Sequence, residues 1–118
     1  LCLIESNFIT QIRTAATTAL ATKAILNGEK VNKMAFIGCG TQTIPHLQFL
    51  LEVLDVKEIA FYDKNLDKAY NMAKSLGDVF EKIYVAQSVE ECVKDCRVIT
   101  TLTPSRSGYL CNKMLSNP

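Results

Sequence analysis

Hydrophobic positions along this chain follow two alternating rhythms. Predicted strands at residues 33–38, 56–62, 82–86 and 97–102 each hold a short apolar run: Met34–Ile37, Ile59–Tyr62, Ile83–Ala86 and Val98–Ile99. Apolar runs without alternation suit parallel strands buried on both faces. Between them, apolar residues return every three or four positions, which predicts helices. One helix covers 42–54, with Leu47, Leu50, Leu51 and Leu54 on one face and Pro45 in its first turn, where a missing N–H costs little. The next covers 66–76 and is stopped by Gly77. A third runs to about Lys94 from Ser88, which forms a capping box with Glu91. An earlier helix runs from an N-cap at Thr10 to about Leu26, and Asn27-Gly28 closes it. Its face of Ile12, Ala15, Ala16, Ala19, Leu20, Lys23 and Ala24 is small enough for another element to dock closely. Residues 1–8 lean towards an N-terminal strand. Thr103-Pro104-Ser105 opens a loop, and 112–115 begins a further helix.

Four strand–helix alternations predict an α/β fold, a Rossmann-type doubly wound parallel sheet preceded by the alanine-rich helix. The expected division is an N-terminal strand and connecting helix at 1–28 and a nucleotide-binding domain at 29–118, hinged at 27–32. The length of 118 residues suits one core. The chain opens on Leu1 rather than methionine and stops at Pro118 without a closing element, so it reads as a segment of a larger, two-domain protein. The net charge of +1 comes from interleaved acids and bases, which argues against a nucleic-acid partner. No apolar run approaches a membrane span. Five irregularly spaced cysteines, without a CxxC pair and with a single histidine, favour reduced thiols, a cytoplasmic location and no metal site.

The chemistry concentrates where the first strand meets the second predicted helix. Gly38-Cys39-Gly40-Thr41-Gln42-Thr43 follows a strand and opens a helix, the context a dinucleotide fingerprint requires. Gly38 permits a sharp turn, Gly40 lets the backbone approach a pyrophosphate, and the N–H groups of Thr41 and Gln42 face an anion at the positive helix end. Thr43 departs from the fingerprint, which prefers Gly or Ala there. Asp63 ends the second strand 23 residues after Gly40. A carboxylate there accepts both adenosine ribose hydroxyls and repels the extra phosphate of NADP, so NAD is the expected cofactor and NADP the less favoured one. An S-adenosylmethionine methyltransferase also uses a Gly-Cys-Gly-Thr turn. It usually places an acid two residues before the first glycine, where this chain has Phe36, and Gly where it has Gln42. His46 is read as a packing residue rather than a proton shuttle. Arg13 in its alanine-rich helix suits either a solvated side chain or a bidentate carboxylate clamp.

Taken together, Thr10-x-x-Arg13-Thr14-Ala15-Ala16, Gly38-x-Gly40-x-Gln42, Asp63 and Thr101-x-Thr103-x-Ser105 resemble the ornithine cyclodeaminase/μ-crystallin family over nearly the whole chain. The resemblance implies an enzyme acting on an amino acid or its cyclic imine by hydride transfer with NAD or NADP, as a cyclodeaminase lyase or as an imine or keto-acid reductase. It implies that Arg13 grips a substrate carboxylate, that Thr41 and Gln42 lie at the pyrophosphate, that Asp63 binds ribose and that Thr103 lines the cofactor pocket. The family's catalytic aspartate belongs to a later segment, so no catalytic residue is expected here. A homodimer is implied for the full-length protein. The alternative is a μ-crystallin-like protein that holds a nucleotide and a small ligand without turnover.

Overall fold

The computed structural model describes residues 1–115; the last three residues of the expected 29–118 domain lie outside the described residues. The chain packs as two compact units. One combines Leu1–Lys30 with Thr41–Leu54, and the other combines Val31–Gly40 with the chain from Asp55 on. This division differs from the boundary expected at residue 28, because the helix after the glycine turn packs with the N-terminal one.

In the first unit, helix α1 (Asn7–Leu26) lies against helix α2 (Thr43–Leu51). α1 starts three residues before the predicted Thr10. The Thr10 N–H donates to the Ser6 carbonyl at 2.8 Å and the Asn7 N–H to Glu5 Oε1 at 2.7 Å, so Thr10 is already helical and cannot be the cap. Residues 1–6 form no strand, contrary to the sequence expectation; no described strand pairs with them. The helix ends where the sequence predicts. Asn27 adopts a left-handed φ of 45° and donates its N–H to the Lys23 carbonyl. The buried stripe runs through Ala15, Ala19 and Leu26, and small alanines let the two helices approach. Leu20, Lys23 and Ala24, expected on the same face, are exposed. Their positions put them beside that stripe rather than on it. On α2 the buried residues are Thr43, His46, Leu47 and Leu50, spaced at i, i+3, i+4 and i+7. The helix stops at Leu51, short of the predicted residue 54.

The second unit is a four-stranded parallel sheet in the order β3-β2-β1-β4. Its strands are β1 (Lys33–Ile37), β2 (Glu58–Tyr62), β3 (Lys82–Val85) and β4 (Val98–Thr101). Helices α3 (Leu66–Ser75) and α4 (Val89–Val93) and a 3-10 helix, Asn112–Met114, complete it. The apolar runs within β1 and β2 have their predicted consequence. Met34, Ala35, Phe36, Ile37, Ile59, Ala60 and Phe61 are all buried, and the Phe36 and Phe61 rings pack tilted by 32° with centroids 5.8 Å apart. β3, at the edge, alternates exposed and half-buried residues as an edge strand should. This strand order is the 3-2-1-4 part of the Rossmann order 3-2-1-4-5-6. The chain builds outward from β1 through β2 to β3, then crosses to β4 on the other side of β1. Ligands bind such sheets beyond the carboxyl ends of the strands, where that direction reverses. Here the switch lies at the ends of β1 and β4. Among the described residues no helix is long and apolar enough to cross a membrane.

Candidate nucleotide-binding site

Within the second unit, the glycine turn sits at that switch point. The Gly38 N–H donates to the Tyr62 carbonyl at 2.8 Å, extending the β1–β2 ladder, while the Leu102 N–H donates to the Ile37 carbonyl at 2.8 Å on the β4 side. Gly38 has φ +98°, and a Cβ there would collide with the Leu102 carbonyl and lie 3.1 Å from Thr103 Cγ2. The first glycine is therefore required by the protein itself, for both conformation and space. Gly40 differs. Among the described residues, no atom beyond its two chain neighbours lies within 4 Å of where its Cβ would stand. Nothing in the fold demands glycine there, as suits a position kept bare for an approaching ligand.

Asp63 follows β2 and turns its carboxylate onto the glycine turn. Oδ2 accepts the Cys39 N–H at 2.9 Å, and Oδ1 accepts the Asn65 N–H at 2.9 Å. Each carboxylate oxygen has a second lone pair, so two acceptor sites remain after these bonds are made. Between the two glycines, the buried Cys39 thiol is pushed up to about 12 by burial and, secondarily, by the Asp63 charge. It is a packing group here, not a nucleophile.

Thr103 is half-buried just past β4. Its hydroxyl donates to Tyr109 Oη at 2.9 Å and accepts the Ser105 N–H at 3.4 Å. Tyr109 also packs against the core cluster of Ala35, Ile37, Ala60, Ala86, Cys92 and Val93. That tie was not foreseen from sequence; the only signal was an aromatic residue closing a polar loop. Thr101, at the end of β4, is exposed.

The remaining candidates belong to the first unit. Thr41 follows Gly40 directly and is exposed. Gln42 occupies the N-cap position of α2, but its side chain makes no capping bond, and its Oε1 is buried without a hydrogen-bond partner among the described residues. Its carbonyl is well used, accepting the His46 N–H at 3.2 Å and pairing with His46 Nδ1 at 2.8 Å. Arg13 is exposed on α1. Because α1 begins at Asn7, Arg13 lies in its second turn rather than the first. The structure thus brings Gly38, Asp63 and Thr103 together around one turn, with Thr41 and Gln42 continuing the chain from it. Among the described residues no group of three histidine, cysteine or acidic side chains is placed to hold a metal.

The sequence matches the model of the ornithine cyclodeaminase/mu-crystallin family over residues 1–117. It is 34% identical to ketimine reductase mu-crystallin of Rattus norvegicus over 111 residues, 93% of this chain and 34% of that protein. Among solved structures, Thermococcus litoralis Δ1-pyrroline-2-carboxylate reductase in complex with NADH and L-proline superimposes with a TM-score of 0.81 at 28% identity, over 98% of this chain and 36% of that one. An archaeal alanine dehydrogenase dimer with bound NAD superimposes with a TM-score of 0.84 at 30% identity, over 93% of this chain and 33% of that one. The chain spans about a third of the length of the relatives it matches.

Proposed function

The chain belongs to the ornithine cyclodeaminase/mu-crystallin family, and from that membership we propose that it is the NAD(H)-binding part of an enzyme acting on an amino acid or its imine by hydride transfer. The net reaction is cyclodeamination or reduction of an imine or keto acid. The observation that carries the cofactor assignment is the Asp63 carboxylate, held by the Cys39 N–H at the switch point with acceptor capacity to spare. Its two open acceptor sites match the two hydroxyls of an adenosine ribose, and its charge opposes a 2′-phosphate. Bare Gly40 leaves room for the pyrophosphate, and Thr41 and Gln42 follow where backbone N–H groups would meet it. A nicotinamide nucleotide, when bound, supplies the hydride donor or acceptor. Thr103, fixed by Tyr109, lines the cofactor side, and Arg13 is the proposed carboxylate clamp.

The mu-crystallin relative is itself named a ketimine reductase, which favours turnover over ligand storage. A cytoplasmic location accords with five free cysteines, and a homodimer with the archaeal alanine dehydrogenase dimer.

Equilibrium titration with NADH, NADPH and S-adenosylmethionine tests the cofactor assignment; binding of the last without NADH would overturn it. Asp63→Ser is expected to weaken NADH binding by about tenfold or more, since hydrogen bonds to a charged group are lost, and to narrow the gap to NADPH. An unchanged NADH-to-NADPH ratio would remove Asp63 from the site.

A further inference from the structure

His46 is 1% exposed, and both of its ring nitrogens are engaged within the first unit. Nδ1 lies 2.8 Å from the Gln42 carbonyl, and Nε2 lies 3.1 Å from Thr18 Oγ1 on α1. A carbonyl only accepts, so Nδ1 carries the proton, and in the neutral ring Nε2 is the acceptor. The Thr18 hydroxyl then donates to the ring. It also lies 3.0 Å from the Thr14 carbonyl, but its single hydrogen cannot serve both. Thr14, Thr17 and Thr22 spend theirs on carbonyls four residues back, at 2.8, 2.9 and 2.8 Å. Thr18 is the one threonine of the helix with a buried ring nitrogen as a second acceptor.

Gln42 is where this tie acts. α2 begins without a side-chain cap. First turns are where helices fray, since their leading N–H groups have no intrahelical partner. At Gln42 the carbonyl instead receives two donors from one residue, the His46 N–H and the ring. We propose that His46 is a positioning residue of the nucleotide site: its Nδ1–H fixes the first peptide of α2, and Thr18 fixes the ring. This rests on the cofactor reading above, in which that turn meets the pyrophosphate. His46 itself touches no ligand in this scheme.

Two substitutions separate the two ring bonds. His46→Asn keeps a donor near the Nδ1 position and loses the reach to Thr18. His46→Gln keeps a polar group near Nε2 and loses the bond to Gln42. Both should lower thermal stability to a similar degree. NADH affinity should stay within about threefold of wild type in His46→Asn and fall about tenfold in His46→Gln, the worth of one hydrogen bond. Equal affinities in the two variants, whether both kept or both lost, would overturn the proposal. Should either variant fail to fold, 15N NMR of the wild-type protein decides: a neutral His46 protonated at Nδ1 supports the proposal, and one protonated at Nε2 refutes it. Wild-type protein that does not bind NADH would instead sink the cofactor reading, and this proposal with it.

Discussion

Gly38 and Gly40 are two residues apart and do different work. Gly38 combines a left-handed φ of +98° with a Cβ position filled by the Leu102 carbonyl. Gly38→Ala should therefore cost about 3 kcal/mol or more, from backbone strain and overpacking together. Gly40→Ala meets no neighbour and should change stability by less than about 0.5 kcal/mol, the range of a neutral surface change, while weakening NADH binding. Urea unfolding and NADH titration of both variants test the contrast; equal stability losses would refute it. The sequence made both glycines visible but not this difference, because only the returning β4 chain fills the space at Gly38. Asp63 was equally legible as the carboxylate at the end of the second strand. Its bond to the Cys39 N–H was not, since that contact joins residues 24 apart in sequence.

Among the elements, the four strands and helices α1 to α4 followed from periodicity, unlike the strand expected at residues 1–8, and several ends followed from local signals. Asn27 closes α1, and Gly77, with φ +55°, follows α3. Asn65 caps α3 by accepting the Asp67 N–H at 3.2 Å, a cap the sequence pattern left unmarked. The expected capping box at α4 forms with a shift. Ser88 Oγ accepts the Glu91 N–H at 3.1 Å, but Glu91 reaches back to the Gln87 N–H at 2.7 Å, one residue before the cap. Ser88→Ala should lower stability by about 1 kcal/mol, read as a shift of the urea midpoint; an unchanged midpoint would mean water replaces the cap. The start of α1 was misplaced because Thr10 is a good cap by type. The Glu5 carboxylate accepts the Asn7 N–H in the turn before it, so the helix starts earlier in the chain.

Across the whole molecule, the five thiols divide by burial. Cys2 and Cys111 are exposed, whereas Cys39, Cys92 and Cys96 are wholly or partly buried. Burial pushes Cys39 and Cys92 up to about 12 and Cys96 to about 11, from an ordinary 9.0. At pH 8 a thiol reagent should consume two cysteines quickly in native protein and all five in denaturant; rapid loss of three or more would contradict this packing. A raised thiol value stabilises the fold while the group is neutral in both states. Stability should therefore be fully present below pH 9.0 and fall as pH climbs towards about 12. By itself the sequence determined the α/β alternation, the glycine turn and the carboxylate that follows β2, since each depends on residue type at short spacing. Only tertiary structure decided the strand order, the pairing of α2 with α1, the tie between Thr103 and Tyr109, and the two bonds of His46. Those depend on which distant segments meet, and local periodicity carries no record of that.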